Sequence, residues 1–531
     1  MSATVPTPGG GPAGSPVRNV LTGTVTKYAL LAVNIGLGLV LMPFTIRHLG
    51  TEDYGLWMLV ASLTYYFQLL DLGYGTGIVR HVSDADARGD TTRVNRILST
   101  FVVVHAGLGL LAAVGVAALV TWVIPRFPNL DPGQIQQGQW VLAILGVRIA
   151  VGFPMTVFGA ATTARQRFAL NNGVAIAVAL VNGLVTYVVL ASGHGLLPLV
   201  AATTTVGLAS YAAYAWTARV AMPELRIRPS GFSRALVAEV TTFSLYLFVI
   251  DIAVQIGFNL DNLVIGAALG TSAVAVYAVA LRLAEYQRRL CNQFNGFLFP
   301  IVVTLQARGQ SEAVRTMLIE TTRIALILVT GATVVVVGFG APLIELWIGP
   351  GFGGAVTPLY ILAVAGVVLV GQGPLGNVLL GSGHHRLVAF ASLGEALANL
   401  GLSLILVGPF GMNGVAAGTA IPVLVANLFI LLPVACRRAG VPTPVFLWTV
   451  GRAPAAGLVP AIAACALVRT AWPPTTLAGV LLEGAAVGAL YLTVVALVGV
   501  DRDLRTRYLG YARQALRATP LGRGRLSEAV S

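Results

Sequence analysis

From residue 25 to residue 499 the chain is a succession of about fourteen apolar runs of roughly 20 residues, parted by short polar connections. Roughly 20 apolar residues are what an α-helix needs to cross the hydrocarbon core of a bilayer. No water bonds the backbone there, so each run must close its own hydrogen bonds as a helix. The expected fold is an all-α polytopic membrane protein with about 14 transmembrane helices. Composition agrees, with 56% of the 531 residues hydrophobic and only 10% charged. The formal net charge of +13 does not indicate a nucleic-acid partner, because the basic residues are scattered through short loops instead of forming one basic face with interleaved aromatics.

Charge placement orients the spans. Lys and Arg are retained on the cytoplasmic side. With both termini inside, only Arg47, Arg126 and Arg469 fall in outer loops, and Arg148, Arg282, Arg288 and Arg289 fall within spans. The rest of the 33 Lys and Arg residues gather in the tails and even-numbered loops or at their edges. Residues 1–24, rich in Pro, Gly and Ser near their start, read as a disordered cytoplasmic tail, and the first span as the targeting signal. Cys291, Cys436, Cys465 and the six histidines show no ligand spacing, so neither disulfide nor metal is expected. Lys27 is the only lysine, which rules out a GxxxxGK phosphate loop. No cofactor is expected beyond a coupling ion, proton or sodium.

An internal repeat constrains the architecture further. Leu-Gly-Thr stands at 49–51 and 269–271, Ala-Arg-Gly at 87–89 and 307–309, and Pro154 corresponds to Pro374, a separation of 220 residues each time. Each repeat holds six spans, so the halves share one orientation and are related by an axis along the membrane normal. The expected organisation is a six-helix lobe at 25–219, an amphipathic cytoplasmic linker at 220–240, a second lobe at 241–438, extra helices at 452–499 and a basic cytoplasmic tail at 501–531. The arginines and apolar side of that tail fit anionic membrane lipids. Two bundles facing each other would enclose a cleft, which is transporter architecture.

Ionisable residues inside spans are costly, about 2.5–3.5 kcal/mol at the bilayer centre on the mildest scale, and so mark function by default. In the eighth span, Arg282, Glu285, Arg289 and Asn292 follow a 3, 4, 3 spacing on one helical face, with Arg288 alongside. Three arginines against one carboxylate leave positive charge for an anionic ligand. The plainer alternative is a structural network centred on Glu285. In the seventh span, Asp251, Gln255, Asn259 and Asn262 share a face. In "YYFQLLDLGYGTGIVR" of the second span, Thr64, Gln68, Asp71 and Gly75 do the same. Asp71 is expected to pair with a cavity arginine or to exchange a proton or sodium ion, while Gly73, Gly75 and Gly77 allow bending or close packing. Arg148 either binds anion or backbone carbonyls, and Glu395 with Asn399 either lines the second bundle or pairs structurally.

The segments "MPFTIRHLGTEDYGLW", "LLDLGYGTGIVRHVSDADARGD" and "NLDNLVIGAALGTSAVAVYAVALRL" resemble the first, second and seventh-to-eighth span signatures of bacterial polysaccharide and oligosaccharide flippases. These belong to the multidrug, oligosaccharidyl-lipid and polysaccharide exporter superfamily, and the similarity covers about 25–440. The resemblance implies two pseudo-symmetric six-helix bundles in a V shape that carry a polyprenyl-pyrophosphate-linked glycan from inner to outer leaflet by alternating access. It also implies a bacterial inner-membrane location and a polysaccharide polymerase or ligase as partner. The extra pair at 452–499 is similar to the fourteen-span arrangement of lipid II flippases. Two other classes compete: a multidrug cation exporter, which would carry a net acidic cavity, and a membrane glycan polymerase or glycosyltransferase, which would carry larger outer loops.

Overall fold

The computed structural model describes residues 16–292, 295 and 298–500, without the side chains of 16–18, 20, 21, 229, 242–259, 299 and 300. Among the described residues every regular element is helical. In chain order the α-helices are α1 (Pro16–Tyr65), α2 (Tyr74–Ala87), α3 (Thr91–Ala118), α4 (Pro132–Ala164), α5 (Phe168–Ala191), α6 (Leu196–Ala221), α7 (Arg234–Leu269) and α8 (Thr271–Cys291). Then come α9 (Leu298–Ala307), α10 (Ser311–Trp347), α11 (Val356–Gly381), α12 (His385–Val425), α13 (Leu432–Arg438), α14 (Thr443–Ala471) and α15 (Leu477–Val494). Ten helical stretches are long and apolar enough to cross a membrane. Two of them, Thr22–Ala87 and His385–Arg438, hold two spans each, and α7 and α8 complete the fourteen. Large apolar side chains such as Leu110, Leu184, Phe390 and Ile405 stand exposed on these helices, as lipid-facing residues must.

The helices break where the repeat says they should. Gly50 and Gly270 carry φ of 81° and 86°, and Gly89 and Gly309 carry φ of 72° and 68°, each pair at equivalent positions. Only glycine enters this left-handed region without steric cost, so both halves use glycine to part the same helices. The second span is not one helix. It leaves α1 through a 3₁₀ turn at Tyr66–Asp71, passes through Leu72 and Gly73 with φ of 51° and 72°, and resumes as α2. In the eighth span α8 ends at Cys291, the position equivalent to Asp71, and α9 begins at Leu298, the position equivalent to Ile78.

By contact the chain divides into two compact units, 1–278 with 396–415, and 279–395 with 416–531. In the first, α3 and α4 approach so closely at Gly109 that an added Cβ would strike the Ala150 carbonyl. A core around Ile78, Ile97, Phe101 and Val157 joins α2, α3 and α4. In the second, Val334 and Phe339 of α10 pack with Ala453, Ala461, Val487 and Tyr491 of α14 and α15, which ties the two extra helices to the unit.

Two expectations about the tails and linker change. Helix α1 already begins at Pro16, inside the stretch expected to be a disordered tail. The linker holds no separate amphipathic helix, because Arg234 starts α7, which runs on to Leu269. The intervening strand is pinned to α3 instead. Asn95 accepts from the Arg226 amide at 2.7 Å, Ser99 from that of Arg228 at 3.0 Å and Thr100 from that of Ser233 at 3.1 Å. Residues 1–15 of the expected disordered tail and the expected basic tail at 501–531 lie outside the described residues.

Candidate functional site

A cavity of about 890 Å³ lies within the first unit, between the end of α1 with its 3₁₀ turn, the middle of α4 and α6. Gln68, Asp71 and Arg148, three of the residues singled out in the sequence, stand on its wall with Thr64, Thr156, Tyr211 and Tyr214. Helices α4 and α6 make room for their long polar side chains with glycine. A Cβ on Gly207 would overlap the Arg148 guanidinium, and one on Gly152 would strike the Tyr211 hydroxyl. Tyr211 donates to the Arg148 carbonyl at 3.1 Å, which fixes α6 against α4 beside the cavity. The Arg148 guanidinium has no hydrogen bond or ion pair among the described residues. The reading that it binds backbone carbonyls therefore gives way to a cation facing open space.

Asp71 ends the 3₁₀ turn, and its partner is not an arginine. Its Oδ1 lies 2.9 Å from His105 Nε2, and its Oδ2 accepts from the Gly75 amide at 3.1 Å. The carboxylate thus bridges α3 to the start of α2 across the backbone break. His105 is fully buried, with Nδ1 2.8 Å from the Phe101 carbonyl and its ring among those of Tyr74, Phe101 and Phe153. The sequence reading passed over His105. A histidine inside "STFVVVHAGLGLL" was signal enough, since a lone ionisable group in an apolar span requires a partner.

In the second unit Glu285 bridges two arginines of α8, accepting from Arg282 Nη1 at 3.1 Å and Arg289 Nη2 at 2.5 Å. One carboxylate bonds both arginines, and the trio keeps a net positive charge. Arg289 is exposed, and Arg288 lies off this trio with its stem beside Gly366. Asn292 accepts from the Asn295 amide group at 2.7 Å, a bond between two residues that lie between α8 and α9. Glu395 accepts from Asn427 at 3.3 Å, and Asn399 accepts from Ser403 at 2.9 Å. Asp251, Gln255 and Asn259 lie on α7, but their side chains are outside the described residues. Asn262 on the same helix donates to Ser62 at 2.9 Å.

At the ends of α2, α4 and α6, a cluster that sequence reasoning missed joins three helices. Arg165 donates to Asp86 at 2.8 Å and to the Ala221 carbonyl at 2.8 Å, and it pairs with Glu224. Partial burial disfavours its charge, but the hydrogen bonds and attraction of Asp86 and Glu224 outweigh burial and raise its pKa. The short acidic and basic loop segments gave no spacing from which this trio follows.

Residues 23–306 match the model of a family described as "Polysaccharide biosynthesis protein". The chain belongs to that family. The match takes in Asp71, His105, Arg148 and the α8 arginines. Among curated proteins, the uncharacterized membrane protein EpsK of Bacillus subtilis (strain 168) is 22% identical over 420 residues, covering 78% of this chain and 83% of that protein. Among solved structures, the lipid II flippase MurJ in an inward closed conformation superposes with a TM-score of 0.69 at 13% identity, over 91% of this chain and 99% of that one. An inward-facing multidrug resistance MATE family transporter of the MOP superfamily superposes at 0.66 and 14% identity, over 77% and 98%. This member of the polysaccharide biosynthesis family is thus a multi-pass membrane protein with the fold that MurJ and MATE transporters share.

Proposed function

We propose that this protein translocates a polyprenyl-pyrophosphate-linked oligosaccharide, or a related lipid-linked polysaccharide precursor, from the inner to the outer leaflet by alternating access. The observation that carries the reading is Arg148, a guanidinium in a membrane helix, on a cavity wall, with no anion answering it among the described residues. Such a charge is costly in a membrane unless a ligand meets it. A pyrophosphate supplies the missing anion, and the planar fork of arginine matches phosphate oxygens two at a time. Around it, Thr64, Gln68, Thr156, Tyr211 and Tyr214 offer hydroxyl and amide partners of the kind sugar hydroxyls use. The volume falls within the ordinary range of ligand pockets, about 300–1,000 Å³, and suits a pyrophosphate with its first sugars.

Membership of a polysaccharide biosynthesis family and the fold of a protein named as a lipid II flippase support the same reading. In this picture the protein sits in a bacterial inner membrane with both termini cytoplasmic and hands its glycan to a polymerase or ligase. Arg282, Arg288 and Arg289 of α8 are head-group candidates of the second unit, and a proton or sodium ion drives the cycle. A multidrug cation exporter has the same fold but calls for an unanswered acid in its cavity. Here Asp71 is bonded to His105, and the unanswered charge is positive. The test is purified protein in liposomes with a fluorescent undecaprenyl-pyrophosphate-linked sugar. Flipping by wild type and its loss in Arg148→Ala are expected. Cationic dye efflux without lipid flipping would replace this reading with the exporter.

A further inference from the structure

We propose that Asp71 and His105 form a binding site for a single proton, which holds the break between α1 and α2 closed. The argument is a count of hydrogens. His105 Nδ1 lies 2.8 Å from the Phe101 carbonyl, which can only accept, so Nδ1 carries a hydrogen. His105 Nε2 lies 2.9 Å from Asp71 Oδ1, and a contact of that length between two groups with lone pairs needs a hydrogen on one of them. Imidazolium with carboxylate and imidazole with carboxylic acid both satisfy the geometry. Both hold one proton between the two atoms, and in both the pair is neutral overall. Remove that proton and a nitrogen lone pair faces a carboxylate, with no donor among the described residues in its place.

The surroundings give this proton one way out. His105 is fully buried, and Tyr74, Phe101 and Phe153 ring it with aromatic carbon. The Asp71 side chain is 30% exposed and faces the cavity. The proton therefore leaves to cavity water through Asp71, with no covalent change beyond its own O–H or N–H bond. Of the titratable groups on the packed elements, Arg148 of α4, Tyr211 and Tyr214 of α6 and Tyr65 of α1 share the cavity. Tyr74 of α2 bonds Thr241 of α7 at 2.9 Å, and Glu239 of α7 pairs with Arg93 and His81. Asp251, also on α7, lies outside the side chains described.

The proton bears on the backbone because Asp71 bonds both sides of the break. Its other oxygen accepts from the Gly75 amide, while Leu72 and Gly73 between them hold left-handed conformations. The second half supports a gained function. At the positions equivalent to Asp71 and His105 it carries Cys291 and Ala325, which share an apolar cluster with Val329 and Val370. At these two positions the second half carries neither a carboxylate nor a histidine. The site is thus an addition, and its use as the coupling ion of a transport cycle rests on the transport reading above.

The test counts protons on the full-length protein in lipid nanodiscs, titrated in weak buffer from about pH 5 to about pH 9, an interval that spans the ordinary range of histidine. The comparison is with Asp71→Asn/His105→Gln, which keeps the shapes, and Asp71→Ala/His105→Ala, which removes both groups and adds none that titrates. Wild type is expected to exchange one more proton per molecule than either folded variant, and the His105 ¹⁵N signals to change over the same pH interval. Equal exchange by wild type and a folded variant overturns the proposal, even where wild type flips its lipid. Should the extra proton be present while wild type flips no lipid-linked glycan, the transport reading falls and the proton site stands.

Discussion

The two repeats build one backbone and charge it differently. Both part their helices at Gly50 and Gly270 and again at Gly89 and Gly309, and in both the second span of the repeat is made of two helices, α1 with α2 in the first half and α8 with α9 in the second. At the first break stand Asp71 and His105, bonded at 2.9 Å; at the second stand Cys291 and Ala325 in an apolar cluster. Arg148 on the cavity wall corresponds to Val368. The second half keeps its membrane arginines on α8, where Glu285 bridges Arg282 and Arg289. The difference teaches that the breaks are a property of the scaffold, which glycine and turn chemistry suffice to build, while the charges are placed on it for another purpose.

The harshest way to break this comparison is to put the first half's carboxylate into the second. Cys291→Asp places an acid among Ala325, Val329 and Val370 with no partner. Burying such a group unpaired costs several kcal/mol, of order 2–7, so the variant should express poorly or melt far lower in detergent. Adding Ala325→His should recover part of the loss by rebuilding the pair. A Cys291→Asp protein as stable as wild type would show that the second break is wet and that the two halves differ less than their residues imply.

Arg148→Ala comes next. It removes the one guanidinium on the cavity wall without removing an ion pair. A charge-assisted contact to phosphate contributes about 1.5–3 kcal/mol, so flipping should fall roughly 10- to 100-fold while the melting temperature holds or rises. Replacing Arg282 and Arg289 together by Gln should also impair flipping, but by less, because Glu285 already answers part of their charge. If the α8 pair matters more than Arg148, the head group is recognised mainly in the second unit.

The spans and the repeat were legible because apolar length and a fixed separation survive in one dimension, and Asp71 and Arg148 were legible because charge in an apolar run stands out. What was not legible is pairing. His105 lies 34 residues from Asp71, and only the crossing of α3 over the break brings them together. Glu285 could have bonded Arg282 or Arg289, and spacing alone did not say it would bond both. The trio of Arg165, Asp86 and Glu224 needs three helix ends to meet, which no periodicity encodes.

That trio gives a milder contrast. Asp86 corresponds to Gln306 in the second half, where Gln306 bonds Ser382 at 2.6 Å in place of an ion pair. Arg165→Ala strands two carboxylates that are about a quarter to a third exposed, so a cost of about 1–3 kcal/mol is expected. Gln306→Ala removes an exposed neutral bond and should cost less, about 0.5–1.5 kcal/mol. Thermal melts of the two variants side by side measure the difference. Equal losses would mean that the ionic version adds nothing over the neutral one.

The smallest effect is the most specific to the break. Leu72 holds φ of 51°, a region that costs a non-glycine residue roughly 1–2 kcal/mol, and its side chain packs partly against the core around Ile78 and Phe101. Leu72→Ala loses that packing and keeps the strain. Leu72→Gly loses the same packing and relieves the strain, at the cost of greater freedom in the unfolded chain. In an ordinary helical position alanine is more stable than glycine by about 1 kcal/mol. At residue 72 the order should reverse, with the glycine variant the more stable by about 1 kcal/mol or less. An alanine variant that melts above the glycine one would mean that the chain at residue 72 runs through the second span as regular helix.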